Sequence, residues 1–426
     1  MRAAFREGRG LGERDRRSGR RDPAALGTEL LLALCAPGRG LVPRSDPGDV
    51  ALSLSPVAHR VDFRALAERH KVQGPLARAV ERRAAGEPAI AALFPGPERE
   101  RLRLGAAATR SFRALLVHEW GRVEEGFRKE GLRALVIKGP ALSLQLYDDP
   151  LEREFRDLDL LLRAPDLQVA ARILSSMGYD AADEDLPGLP EKRRAWASSA
   201  SHHLVMKKAG RPFFFELHGV AEDSMGLELP GAGDAFRRAV ILERDGIRYP
   251  TLGAEDQALA AFLHAARHQW CALQWLLDSA VILVGGSLRI PATTPPPPGG
   301  VDIQLASAAF ALIAERRFEG EWRSRVGPLP ARELGRARRL AELAEPSASG
   351  SGHQGGMYRA AWRALAFRTR LSGAARPALA ALLELAKPSA QDLQAFGKAD
   401  LPLGFFYAAR PFLLAARVAR SWIEGR

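Results

Sequence analysis

The segment REFRDLDLLLRAPDLQVAARILSSMGYD, residues 153–180, decides how this chain is read. Its first half, FRDLDLLLR, is a short β-rich run. In an extended strand alternate side chains share a face, so Asp157 and Asp159 point one way and Leu158 and Leu160 the other. The second half, APDLQVAARILSSMGYD, spaces its apolar residues as a helix does, with Asp166 near the start and Gly178 past the end. Two carboxylates on one face of an apolar strand repel each other, and burying either one unpaired costs several kcal/mol. A divalent cation offsets both effects. Hard oxygen donors of this kind suit Mg²⁺, or Mn²⁺, which binds one or two carboxylates together with substrate phosphate. Ion pairs to Arg153 or Arg156 would satisfy the same carboxylates, so local sequence leaves both readings open.

Upstream, LRALVIKG is another short β-rich run, closed by Gly139, and GPALSLQLYDDP reads as a helix opening on that glycine. A strand that ends in Lys138-Gly139 and feeds a helix sets backbone N–H groups and a cation at a helix N-terminus, which suits phosphate. Taken alone, the same residues make a plain turn with a surface lysine. Downstream, SHHLVMKKAGRPFFFELHG reads as two strands around a glycine-containing turn. Glu216, in the apolar FFFELHG, is the acid placed to join the aspartates from a neighbouring strand. His218 shares its face by the two-residue period, as a base, an outer partner or a structural group. His202 and His203 are adjacent and face opposite ways, which argues against a shared metal. His264 and Asp278 fall on an apolar helical stretch, where packing and hydrogen bonding are the favoured roles.

Strand, helix, strand, helix and hairpin define a small α/β unit within an α+β chain: a small mixed-sheet core with helical N- and C-terminal regions. The expected layout is a disordered basic tail (1–22), an N-terminal helical region (23–104), the core (105–220), a helical region (221–290), a Pro-rich linker (291–300) and a C-terminal helical region (301–426). A helix is expected over roughly 106–130, ended by Gly131.

Of the 426 residues 46% are hydrophobic, ample for packed cores. The formal charge of +12 is uneven, with eight arginines against four acids in residues 1–22. That stretch has no apolar periodicity and reads as a solvated tail, with a nucleic-acid arm as the sharper alternative. No segment is apolar and long enough to span a membrane, and no secretion signal is evident, so a cytoplasmic protein is expected. Two cysteines, Cys35 and Cys271, exclude a disulfide framework or a cysteine-based zinc site.

The ordered set, a strand with Lys138-Gly139, a helix, a strand with Asp157-x-Asp159, a helix closed by Gly178-Tyr179, and a strand with Glu216-Leu217-His218, resembles the polymerase-β-like nucleotidyltransferase superfamily. It is most similar to the branch of uncharacterised nucleotidyltransferase family proteins, in which "KG" replaces the usual "GS" and an arginine, here Arg153, precedes the aspartate strand. The likeness extends over most of residues 50–420, through RVDFRALAERHKVQGPLARAV, GAEDQALAAFLHAARHQW and FFYAARPFLLAAR. Two departures stand out. Gly219 occupies a position where the family often has Trp, and no serine follows Gly139.

The resemblance implies nucleotidyl transfer by two-metal-ion catalysis from an NTP, ATP first among them, to an unidentified acceptor. It implies Asp157, Asp159 and Glu216 as Mg²⁺ or Mn²⁺ ligands and catalytic acids. Lys138, Gly139 and Arg153 would contact the nucleotide, with His218 and Arg156 as outer partners. Two other classes stay open: a catalytically degenerate relative that binds nucleotide or a partner, and a nucleic-acid-binding module. The second is not favoured, because the aromatics lie in helical apolar stripes and not among basic runs.

Overall fold

The computed structural model describes residues 22–38, 40–181, 203–219, 232–285, 302–326 and 329–348, with 366–367, 370–371 and 409. Outside the described residues lie the expected basic tail (apart from Asp22), His202, the expected 291–300 linker and nearly all of the C-terminal region beyond 348. Asp22 is not part of a tail: its side chain accepts from the Ala24 N–H and caps the first helix.

Five helices come first: α1 (Pro23–Cys35), α2 (Pro47–Leu54), α3 (Phe63–His70), α4 (Gln73–Ala84) and α5 (Pro88–Leu93). Asp22, Asp46 and Asp62 cap three of them, each accepting N–H groups that the first helical turn leaves without partners. Helix α6 (Gly96–Lys129) then runs for 34 residues, starting ten residues earlier than the apolar spacing suggests. Its first turns, GPERERLRLG, are too charged to show an apolar stripe, and the 104/105 division falls inside this one helix.

The core follows as β1 (Leu135–Val136), α7 (Gly139–Tyr147), β2 (Asp157–Leu161), α8 (Leu167–Ser176), β3 (Asp180–Ala181), β4 (His203–Lys207) and β5 (Phe214–His218). The strands form one mixed sheet ordered β1-β2-β5-β4-β3, with β2 and β5 parallel and the other neighbours antiparallel. The β4–β5 hairpin turns at Gly210, whose φ is +71°. The two-residue edge strand β3 carried no pattern of its own in the sequence.

Residues 221–290 are not wholly helical. After α9 (Ala232–Arg238) the chain makes a hairpin, β6 (Val240–Arg244) with β7 (Ile247–Thr251), before α10 (Ala254–Arg267) and α11 (Leu273–Val284). The turn is Asp245-Gly246, both at positive φ (54° and 74°), the left-handed geometry that a two-residue hairpin turn requires. Two more helices, α12 (Ile303–Arg317) and α13 (Ala331–Ala348), complete the described chain.

Two apolar cores divide the sheet between them. Leu158, Leu160, Phe215 and Leu217 pack with Leu116, Trp120, Val123 and Phe127 of α6 and Ala170 and Leu174 of α8. Leu161, on the other face of β2, joins the core built by α1, α4, α10, α11 and α12. The face bearing Asp157 and Asp159 therefore looks toward the helical regions.

Candidate active site

Strands β2 and β5 run parallel with Asp159 opposite Glu216, Asp157 opposite Phe214 and Leu161 opposite His218. Register partners in a pleated sheet share a face, so Asp157, Asp159, Glu216 and His218 all project to the same side. The apolar alternates on that same pair of strands fix this register, since a slip of one residue would bury the acids in the α6–α8 core.

Asp159 is the centre of the cluster, with 4% of its surface exposed. Its Oδ1 accepts from Lys138 Nζ at 2.9 Å and lies 3.0 Å from His218 Nε2. His218 Nε2 is also 3.6 Å from Glu216 Oε2. Burial alone would raise the Asp159 pKa. The charge of Lys138 and the bond to His218 outweigh it and hold the carboxyl well below the usual range. Asp157 moves the opposite way, raised first by burial and then by Asp159, with Lys138 and Lys71 partly offsetting. Glu216 is raised too, by burial and by the charges of Asp159 and Asp157. One carboxylate is thus held firmly ionised between two more basic ones.

The KG turn meets this cluster from β1. Lys138 is the N-cap of α7 and Gly139 its first residue, at φ +54°. A Cβ at Gly139 would lie 3.1 Å from Leu158 Cδ2 and 3.7 Å from the Asp157 carbonyl oxygen. Only glycine fits a left-handed turn this close to β2, and the closeness is what carries the lysine to Asp159.

The arginines lie elsewhere. Arg153 is buried, its Nε 2.7 Å from Asp278 Oδ2 on α11, and Tyr147 Oη donates to the other oxygen of Asp278 at 2.7 Å. Asp278 therefore ties α11 to α7 through Tyr147 and to the segment before β2 through Arg153, and Arg153 does not pair with the two aspartates. Asp278 is accordingly a hydrogen-bonding residue, as its apolar helix suggests. Arg156 alternates away from Asp157 and pairs at the surface with Glu68 of α3, at 2.8 Å. Neither arginine supplies the ion pairs that would have made Asp157 and Asp159 purely structural.

Among the described residues, the side-chain donors that converge as a group of three are Asp159, Glu216 and His218, with one ligand atom from each all within 4.8 Å of one another. This set could hold a metal ion. It contains His218, expected as a base, an outer partner or a structural group and not as a ligand, and it does not contain Asp157, expected as a ligand. Two carboxylates and an imidazole fit Mn²⁺ as direct ligands, or Mg²⁺ with His218 bonding an oxygen ligand.

A family model described as an uncharacterised nucleotidyltransferase matches residues 60–287, more than half of the chain. The chain belongs to this family. The matched span takes in Lys138-Gly139, Asp157, Asp159, Glu216 and His218, and also α3, α4, α10 and α11. No curated protein and no solved structure matches the chain. Membership supports nucleotidyl transfer in general terms, and no helix of the described residues is long and apolar enough to cross a membrane.

Two further residues lie near the cluster: Lys71, which gave no sequence signal, and His264, which the sequence assigned to packing and hydrogen bonding. Lys71, just after α3, feels the charges of Asp157 and Lys138. His264 on α10 is pushed well below its ordinary pKa by burial and then by Lys138, so it lies beside the site while packing against His268 and Trp275. Both come from elements outside the core, and only the tertiary fold brings them near.

Proposed function

We propose that the chain transfers a nucleoside monophosphate from an NTP, with ATP as the first candidate, to an acceptor that carries a nucleophilic oxygen. The observation that carries this reading is the pairing of Asp159 with Glu216 across parallel strands, beside a helix that opens on Lys138-Gly139. Family membership supports the general reaction.

In this reading Asp159, Glu216 and Asp157 hold Mg²⁺ or Mn²⁺, with His218 completing or buttressing the set. A bound divalent cation would neutralise phosphate charge and stabilise the oxygens that enter and leave at phosphorus. Lys138 balances Asp159 in the absence of nucleotide and turns to the phosphates when they arrive. The α7 N–H groups beside Gly139 are available to phosphate oxygen, without help from a serine hydroxyl. Glu216, more basic than Asp159, favours loss of the acceptor's proton. The acceptor oxygen bonds to the α-phosphorus, and pyrophosphate leaves with the bridging oxygen.

Incubation of the purified chain with each α-labelled NTP and Mg²⁺ or Mn²⁺, with and without cell extract, tests the proposal. Label transfer that Asp159→Asn abolishes is the expected result. Absence of both transfer and nucleotide binding would sink it.

A further inference from the structure

A cavity of about 520 Å³ runs between α4 and α6 and reaches the chain that joins α7 to β2. Its apolar wall is small: Gly74 and Ala77 from α4, Ala106 and Ala107 from α6. Four arginines and three acids complete the lining. Three of the arginines are answered by acids of the protein. Arg78 pairs with Glu152, Arg110 with Asp149 at 3.0 Å, and Arg103 with Glu100 of its own helix at 2.6 Å.

Arg113 is the exception. It is only 3% exposed, and its Nε donates to the Leu151 carbonyl at 3.1 Å, which fixes the plane of the guanidinium. Its two terminal nitrogens have no hydrogen-bond or ion-pair partner among the described residues, and they are not sealed in apolar contact. They open on the cavity that Arg113 lines. The acids that act on its charge are already engaged: Glu154 accepts from Gln73 N at 2.6 Å and Gly74 N at 3.4 Å, while Glu152 and Asp149 hold Arg78 and Arg110. The remaining acid of the lining, Glu81, is exposed and acts on Arg103, not on Arg113. A guanidinium cannot shed its proton at neutral pH, so a buried one without an ion-pair partner is costly.

We infer that this cavity binds a small organic acid, its carboxylate paired with the two open nitrogens of Arg113 and its apolar body lying along Ala77, Ala106 and Ala107. The guanidinium fork matches a carboxylate through two parallel bonds. Asp149 and Glu152 nearby would repel a dianionic phosphate more strongly than a singly charged carboxylate. The volume is that of a small-molecule site and far exceeds what a carboxylate alone fills. None of Lys138, Asp157, Asp159, Glu216 and His218 lines this cavity, and the inference does not depend on nucleotidyl transfer.

Calorimetric titration of the full chain with acetate, hexanoate and benzoate, with benzamide and inorganic phosphate as controls, tests it. Hexanoate and benzoate should bind more tightly than acetate or phosphate, and benzamide should not bind. Arg113→Met keeps the bulk of the stem and removes the charge. It should weaken carboxylate binding about tenfold to a hundredfold, the range for charge-assisted bonds. Arg113→Lys should recover only part of the loss, because an ammonium lacks the fork. Ala106→Leu leaves Arg113 intact and narrows the cavity, so it should weaken hexanoate and benzoate while sparing acetate. No carboxylate binding to wild type, or unchanged affinity in Arg113→Met, would overturn the proposal. Should Arg113→Met fail to fold, hexanoate affinity unchanged in both Arg113→Lys and Ala106→Leu would overturn it equally. Phosphate binding tighter than any carboxylate would overturn the assigned ligand class. Asp159→Asn should bind carboxylate as wild type does, and loss of binding there would move the anion to the metal-binding cluster and overturn the proposal.

Discussion

Asp159 and Glu216 face each other across two parallel strands, yet their surroundings drive them apart: Asp159 is held ionised and Glu216 is pushed toward its acid form. Both are partly or wholly buried, so burial is not the difference. What separates them is that Lys138 and His218 meet on one oxygen of Asp159, while Glu216 receives mostly the repulsion of the two aspartates. A pair of carboxyls separated in this way offers one permanent ligand and one group able to take a proton.

The same asymmetry predicts opposite stabilities for two neighbouring substitutions. Asp159→Asn removes the partner of a half-buried ammonium and should destabilise the chain by about 1–3 kcal/mol. Asp157→Asn removes a repelling charge and should leave stability within about 0.5 kcal/mol of wild type, or raise it. Urea unfolding of both variants without divalent cation measures this, and Mg²⁺ or Mn²⁺ titration should show Asp159→Asn the more impaired. Equal destabilisation would mean that Asp157 is held by a structural partner.

His70 gives a pH dependence away from the carboxylates. It is fully buried, its Nδ1 accepts from Leu273 N at the start of α11, and its Nε2 has no hydrogen-bond partner among the described residues. Burial, and secondarily Arg69, lowers its pKa to about 4. Between pH 6.5 and 4 the unfolded chain binds this proton and the folded chain does not, so stability falls as pH drops through that window. Above 6.5 the group makes no further difference, and below about 4 its loss is complete, at about 3 kcal/mol. His70→Asn keeps an acceptor near Nδ1 and removes the titration. Thermal midpoints from pH 7.5 to 4 should fall less steeply for this variant, and parallel curves would assign the acid lability to other groups.

The strands, the two-residue period of the acids and the helix that opens on Gly139 were legible in the sequence because each is local. FRDLDLLLR alternates, and FFFELHG places Glu216 and His218 two apart, so a shared face follows from chain geometry alone. The partners of Arg153 and Arg156 were not legible. Asp278 and Glu68 lie more than eighty residues away, and nothing in REFRD distinguishes an arginine that reaches an aspartate nearby from one that reaches another helix. Lys71 was hidden for the same reason. The β6–β7 hairpin is different, since its Asp245-Gly246 turn was readable and the strongly helical stretch after it drew the whole region into one class.

Gly139 should be the least replaceable residue of the KG turn. Alanine there must hold φ near +54°, which costs about 1–2 kcal/mol, and its methyl must displace the buried Leu158 side chain. Gly139→Ala is expected to lower stability by about 1–3 kcal/mol and to weaken ATP binding by shifting the start of α7. Thermal unfolding and ATP titration measure the two effects. A wild-type midpoint would show that the turn has room that the Leu158 contact denies it.

Arg153 and Asp278 form the sharpest test of which charges serve the nucleotide and which serve the fold. The pair is buried, with side-chain exposures of 7% and 4%, and Tyr147 adds a third group to Asp278. Removing one member leaves an uncompensated buried charge, so Asp278→Ala should cost about 3–5 kcal/mol. Replacing all three by apolar residues of similar size, Arg153→Met with Asp278→Leu and Tyr147→Phe, should recover most of that loss, because the desolvation penalty disappears together with the attraction. The triple variant separates the two roles of Arg153. A residue that only joins the segment before β2 to α11 can be replaced in this way with ATP affinity unchanged. A residue that binds phosphate cannot, and a folded triple variant with weakened ATP binding would return Arg153 to the nucleotide site.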